Sequence, residues 1–345
     1  MAKSPYSPDK EIKDRHLEVC LEKAVESTNV TSGFERYRLI HQALPEINRD
    51  DVDSSLTLFR KQLNAPLIIS AMTGGTKLAY KINRNLAKAA QALGLGMAVG
   101  SQKLAIEDPS LAYSYQIRDI APGILLLANL GAVHLNYGYD IEHCIRAVEM
   151  IDADGLSLYL NPLQEAIQKG GNVNFTGIGK KIKEVCKAVD FPVLVKEVGC
   201  GFSEEVAVRL RDLGVSGLEV AGSGGASWAR IEQLIEKGNE YSFFDDPFAD
   251  WGIPTVNSLL SAVKAAPDLA ITASGGIRNG VDAAKAIALG ASAVGIALPL
   301  LKPAMESADA VIEKLSSFID EFKTSMFCSG ASRISEISRI SLVSV

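Results

Sequence analysis

The stretch SGGIRNG, Ser274 to Gly280, runs directly into VDAAKAIALGASAVGIALPLL, Val281 to Leu301. Its reading decides the fold. Two adjacent glycines after an apolar run let the backbone approach an anion, and bare N–H groups there donate to phosphate oxygens. A helix pattern follows, then a short buried strand with its own exit loop. In a parallel barrel, phosphate binds at the loops after the last two strands. Seven more short apolar runs lie upstream, near Leu67–Ala71, Gly96–Val99, Leu125–Asn129, Leu156–Leu160, Val193–Lys196, Gly217–Val220 and Ala270–Ser274, and Ala293–Ile296 makes the eighth. Such runs suit strands buried on both faces. Helical patterns at Tyr80–Leu93, Ile141–Ile151, Gly177–Val189, Ser203–Leu213 and Val281–Leu289 separate several of them. Alternation of this kind implies parallel pairing through right-handed crossovers. The expected fold is therefore α/β, a (β/α)8 TIM barrel over residues 66–345. Residues 1–65 form an N-terminal helical and loop extension, with a helix expected around His16–Glu26, that contributes to the active site.

Totals agree with this. The 345 residues suffice for one barrel plus an extension, and a 47% apolar, 6% aromatic composition suits an aliphatic α/β core. A net charge of −6 argues against nucleic-acid binding, so an anionic ligand needs locally placed Lys and Arg. Five scattered cysteines without a Cys-x-x-Cys pair point to a reducing cytoplasm, not a disulfide framework or zinc site. The polar start MAKSPYSPDKEIKDRH gives no signal peptide. Ala286–Leu301 is too short and too broken by Gly290, Gly295 and Pro299 to be a membrane span. The long connection Ser227–Thr255, with YSFFDDPFADWG, reads as a flap or subunit contact.

The strand ends are MTGG, GSQK, NLG, LNPLQE, VKEVGCG, AGSGGASW, SGGIRNG and ALPLL. Glycine combined with hydroxyl and amide side chains suits a planar polar heterocycle with a phosphate tail. Lys196 ends an apolar strand; either its amine pairs with Glu197, or its charge stabilises an anionic reduced flavin. Gln164 and Glu165 either open a helix with dipole-matched polarity or hold magnesium together with substrate phosphates. The four histidines, His16, His41, His134 and His143, lie away in sequence from the ends of strands six and seven, which argues against 2-hydroxy acid oxidation.

These residues resemble the type 2, FMN-dependent isopentenyl diphosphate isomerases. The likeness spans Lys13 to Gly330 and rests on SGFERYRLIHQALPEI (Ser32–Ile47), MTGG, VGSQ, ANLG, LNPLQE, VKEVGCGFS, GGASW, DWGIPT, SGGIRNG and DAAKAIALGA. The resemblance implies conversion of isopentenyl to dimethylallyl diphosphate by a 1,3-proton shift. Reduced FMN would be the acid–base catalyst, Mg²⁺ would sit on the diphosphate, and NADPH would be the reductant. It implies Lys196 and Gln164 as catalytic residues. FMN would be held by Ala71, Met72, Thr73, Gly74, Ser101, Asn129, Lys196, Gly225, Ala226, Gly275, Gly276, Arg278, Ala297 and Leu298. Substrate would be held by Lys13, His16, Lys103, Asn161 and Gln164, and metal by Glu165 and Gln164. It also implies a homotetramer or homo-octamer.

The chain departs from the family pattern at the diphosphate end. Ile12 stands where the family has Arg, Lys103 replaces Arg, Tyr159 replaces His, His134 replaces Gln and Ala226 replaces Thr. Arg and Lys differ in their grip on phosphate, and one lost charge-assisted hydrogen bond costs about 1.5–3 kcal/mol. Two alternatives therefore stand beside the isomerase: a divergent FMN-dependent paralogue acting on another prenyl or terpenoid substrate, and a flavin- or prenyl-binding protein without turnover.

Overall fold

In the computed structural model, eight parallel strands close into a barrel. The structure describes residues 8–242, 246–340 and 342–345. The strands are β1 (Leu67–Ile69), β2 (Gly96–Ala98), β3 (Leu126–Gly131), β4 (Gly155–Tyr159), β5 (Val193–Lys196), β6 (Gly217–Glu219), β7 (Ala270–Ser274) and β8 (Ala293–Ile296). β8 pairs with β1 through Val294–Leu67, Gly295–Ile68 and Ile296–Ile69, which closes the ring. Nearly every strand residue is buried, because each has the barrel interior on one face and a helix layer on the other. All eight expected strands are present: Val193–Lys196, Ala270–Ser274 and Ala293–Ile296 keep their expected bounds, and the other five have an end shifted by a residue or two.

The helices follow from caps and apolar faces. α1 is Pro8–Glu22 and α2 is Lys77–Leu93. Thr76 caps α2 by accepting from the Ala79 N–H at 3.1 Å, and Gly94 ends it in the left-handed region at φ +66°. Ile82, Leu86 and Ala90, one face of its 3.6-residue repeat, are buried. α3 (Lys103–Glu107), α4 (Ile141–Glu149), α5 (Pro162–Ile167), α6 (Ile178–Ala188) and α7 (Glu204–Asp212) follow, then α8 (Trp228–Lys237), α9 (Thr255–Ala265), α10 (Gly280–Ala288), α11 (Leu298–Glu306) and α12 (Ala308–Cys328).

Two expectations change. The first helix runs Pro8–Glu22, not His16–Glu26; the chain from Lys23 onward is extended over the β6 loop, with Ser27 N–H donating to Gly225 O at 3.1 Å. The connection Ser227–Thr255 is no simple flap, since Ser227 caps α8 by accepting from the Arg230 N–H at 3.3 Å. Residues 243–245 of that connection lie outside the described residues. The last stretch of chain returns to the N-terminal arm: Leu342–Ser344 pairs antiparallel with Tyr37–Leu39. Among the described residues no helix is long and apolar enough to cross a membrane.

Candidate active site

A cavity of 360 Å³ opens at the C-terminal ends of the strands, between the barrel and α1. That size lies in the range of about 300–1,000 Å³ usual for cofactor and ligand sites. Ala71, Met72, Thr73, Ser101, Asn129, Lys196, Ala226, Gly275, Gly276, Arg278, Ala297 and Leu298 line it. So do Lys13, His16, Lys103, Asn161, Gln164 and Glu165. Gly74 and Gly225 do not. A Cβ on Gly74 would run into the Tyr115 ring, and one on Gly225 would stand 2.5 Å from the Gly276 nitrogen. These two glycines serve the packing behind the cavity wall.

The Ser274–Gly280 loop has the shape of an anion cradle. Gly275 and Gly276 both have positive φ, +100° and +71°. Thr255 Oγ1 fixes the turn by donating to Gly275 O at 2.7 Å. Among the described residues, no hydrogen bond is recorded from the N–H groups of Gly275, Gly276 or Ile277. Asn279 then caps α10 by accepting from the Asp282 N–H at 2.8 Å. Arg278 reaches outward: its guanidinium binds Glu26 of the arm, through Nε at 2.9 Å and through Nη2. Arg278 therefore joins the loop to the arm.

Lys196, at the end of β5, is 6% exposed, and its Nζ donates to the Glu197 backbone carbonyl at 2.6 Å. The Glu197 carboxylate is engaged elsewhere. It accepts the N–H groups of Val198, Gly199 and Cys200 at 2.7, 2.8 and 2.5 Å. Its burial raises its pKa, against the lowering effect of those three bonds. An ion pair between the two side chains is thus not formed, and the ammonium stands in the cavity wall.

Beside it, past the end of the neighbouring strand β4, a connected polar array spans two helices and the arm. Asn161 Nδ2 donates to Gln164 Oε1 at 3.0 Å and to Glu165 Oε1 at 3.1 Å. Gln164 Nε2 donates to Glu232 Oε1 at 2.8 Å, and His16 Nε2 lies 2.9 Å from the same oxygen. Asn172 N–H donates to Glu165 Oε2 at 2.6 Å, which folds the Gln168–Asn172 loop onto the cavity rim. His16 also sets its ring edge against Trp228, centroid to centroid 5.1 Å. A histidine therefore does lie over the β6 exit in space, although α1 supplies it. His134 sits in the turn after β3, buried, against Tyr139.

The cationic end is built around Ser101. Lys13 Nζ donates to Ser101 O at 2.8 Å and to Tyr115 Oη at 3.0 Å. Tyr115 also donates to Ser101 O, at 2.7 Å. Tyr159 donates to Ser101 Oγ at 3.2 Å, and burial pushes its pKa up to about 12. It is a neutral hydroxyl at physiological pH. Lys103 lies 3.9 Å from Glu107, while Lys169 adds a cation from the rim loop.

Glu232, Glu219 and Lys169 escaped the sequence reading. Glu232 could have been found: it stands one helical turn after Trp228, on the face that Trp228 presents to the cavity. Among the described residues, Asn129 Oδ1 and Asn161 Oδ1 are buried without a hydrogen-bond partner, so the wall keeps unused acceptors. An anion cradle, a buried ammonium and these acceptors together fit a phosphorylated flavin.

Residues 165–344 match the FMN-dependent dehydrogenase family. Solved mandelate oxidase structures share the fold. One with 3,3-difluoro-2-hydroxy-3-phenylpropionic acid gives a TM-score of 0.65 at 17% identity, covering 97% of this chain and 98% of that one. Much nearer in sequence is an isopentenyl-diphosphate delta-isomerase of Nostoc sp., 46% identical over 93% of this chain and 92% of its own length. The Synechocystis sp. protein of the same name is 46% identical over 96% and 95%. That of Pyrococcus furiosus is 40% identical over 96% of this chain and 86% of its own. With its parallel barrel, anion cradle and Lys196 in place, this chain belongs to the isopentenyl-diphosphate delta-isomerases, in their FMN-dependent type 2 branch.

Proposed function

We propose that this enzyme interconverts isopentenyl and dimethylallyl diphosphate on reduced FMN, with Mg²⁺ bound to the diphosphate. The observation that carries the reading is the convergence of two arrays on one cavity. Lys196 and the Ser274–Gly280 cradle make one array; the His16–Glu232–Gln164–Asn161–Glu165 network makes the other. Reduced FMN supplies the acid–base group for the 1,3-shift, in which one proton is gained at the terminal alkene carbon and one is lost from the carbon next to the oxygenated methylene. No oxidation state changes.

The chain's own residues have separable tasks. Gly275–Ile277 donate N–H groups to the cofactor phosphate, and Lys196 sets a positive charge beside the ring. Glu165 offers a carboxylate to Mg²⁺, which accepts one or two carboxylates plus substrate phosphates. Gln164, held by Glu232 and Asn161, would position the substrate. Lys13, Lys103 and Lys169 gather the diphosphate, and Leu17 and Ile231 face the hydrocarbon. NADPH as reductant, a tetramer or octamer, and a cytoplasmic site complete the proposal.

The test is turnover of isopentenyl diphosphate by photoreduced, oxygen-free enzyme with Mg²⁺ and no added reductant. Many turnovers per flavin support the isomerase. One flavin oxidised per product would make it an oxidoreductase. Ile12 and Tyr159, both uncharged in the cavity wall, favour a second reading: a paralogue with another prenyl substrate. Bound FMN and Mg²⁺ without turnover of isopentenyl diphosphate would place that reading, or a non-catalytic one, first.

A further inference from the structure

One charged side chain in the cavity wall has no task in this scheme. Glu219 ends β6, is 6% exposed and lines the cavity. It is in register with Lys196 on β5, and β7 flanks it on the other side. Its Oε1 accepts from Ser70 Oγ at 2.7 Å. Ser70 follows β1, so the pair reaches across β7 and β8. Among the described residues Glu219 has no other side-chain hydrogen bond and no cation within 4.0 Å. Gly295 on β8 leaves room for it: a Cβ there would run into Ser70 Oγ and stand 3.1 Å from Glu219 Oε1. A carboxylate buried without a cation is costly. One hydroxyl fills one of about four acceptor positions. The remaining ones call for donors that arrive with a ligand.

We propose that Glu219, supported by Ser70, accepts hydrogen bonds from the hydroxyls of the polyol linker that joins the flavin ring to its phosphate. The inference rests on the reading that the cavity holds FMN. Strand order carries it. Lys196 is on β5, Glu219 on β6, and Ser274 ends β7 and opens the phosphate cradle. A ligand that spans from the ammonium to the cradle crosses the end of β6. Between ring and phosphate FMN offers only a saturated chain with hydroxyl donors. An ionised carboxylate accepts and cannot donate, so it selects hydroxyls over carbonyl or phosphate oxygens. The Ser274 hydroxyl oxygen is already shared with the Ala221 N–H at 3.1 Å.

The experiment is reconstitution of the apoprotein, followed by flavin fluorescence quenching. Wild type, Glu219→Gln and Ser70→Ala are titrated with FMN and with an FMN analogue whose linker is an unsubstituted pentyl chain. Loss of a charge-assisted hydrogen bond predicts FMN affinity about tenfold or more weaker in Glu219→Gln. Affinity for the analogue should stay the same, and so should the midpoint potential of bound FMN. Ser70→Ala should show a smaller loss with the same dependence on linker hydroxyls, and it carries the comparison alone if Glu219→Gln does not fold. Equal losses for both flavins would reduce Glu219 to a packing role and overturn the proposal. An altered potential with unaltered affinity would put the carboxylate against the ring and overturn it too. Wild-type protein that takes up neither flavin would overturn the FMN reading itself, and the proposal with it.

Discussion

Lys196 is held by a backbone carbonyl instead of a carboxylate, so its charge is not cancelled within its own hydrogen bond. That has a consequence for the flavin. Removing the charge in Lys196→Ala should destabilise the anionic reduced form and lower the midpoint potential, by about 30 mV for each 1.4 kcal/mol lost. Spectroelectrochemistry of the reconstituted variant measures it; an unchanged potential would leave Lys196 a structural role. At the diphosphate end, Tyr159 is a neutral donor to Ser101 and Ile12 is apolar, both in the wall that carries Lys13 and Lys103. Ile12→Arg with Tyr159→His should therefore tighten substrate binding, about tenfold for each restored contact of roughly 1.4 kcal/mol. Gly131 gives this position its width, since a Cβ there would stand 2.9 Å from the Tyr159 hydroxyl. The smaller imidazole therefore fits without repacking. The Michaelis constant with Mg²⁺ under reducing conditions reports the gain, and no change would show that these two positions do not set affinity.

Among the elements, the β7–α10 passage shows why glycines in one short motif differ in purpose. Gly276 turns the cradle, yet a Cβ there would meet the Gly224 carbonyl and stand 2.9 Å from Ser32 Cβ. A bulky Gly276 variant would thus disturb the arm as well as the phosphate, and its loss of flavin would not by itself locate the phosphate. Gly280 faces away, toward α12, where a Cβ would run into the Phe318 carbonyl and the Phe322 nitrogen. Gly280→Ala should force α10 off α12 and destabilise the barrel by about 1–3 kcal/mol. The denaturant midpoint of the apoprotein checks it. The strands were legible because burial on both faces makes each an uninterrupted apolar run. The helices that close the barrel were less so. α8 lies inside what reads as one long loop, although Trp228, Ile231, Leu234 and Ile235 recur at helical spacing. Glu219 was missed because an acidic residue ending a three-residue strand reads as surface, whereas the barrel turns that position inward. Glu232 was missed together with α8, since its place one helical turn after Trp228 shows only when the segment is read as a helix.

The whole molecule divides its site between two walls. The barrel supplies Lys196, Glu219 and the cradle; the arm supplies Ile12, Lys13, His16, Leu17 and Cys20. α1 is held to α8 by the His16–Glu232 contact and by Arg15, which donates to Ile235 O at 3.0 Å. Further along, Glu26 binds Arg278 beside the cradle, and the Arg230 guanidinium donates to Glu26 O at 2.8 Å. The arm thus has two parts with different reach, α1 over the substrate end and Val25–Ser32 over the cofactor phosphate. A chain beginning at Lys23 would lose the first part and keep the second. Because the barrel strands and the segment from Val25 onward remain intact, this truncation should fold and retain FMN. It should lose the wall that carries Lys13 and His16, so the Michaelis constant should rise by about two orders of magnitude as two hydrogen-bonding contacts go. Turnover should fall as well, since Gln164 and Glu232 lose the histidine that orders them. Reoxidation of the reduced flavin by oxygen should quicken, because one side of the cavity stands open to solvent. Flavin content, steady-state kinetics and the rate of reoxidation separate these effects. A truncated chain that folds but purifies without flavin would show that α1 belongs to the cofactor site, and that the division of labour drawn between arm and barrel is wrong.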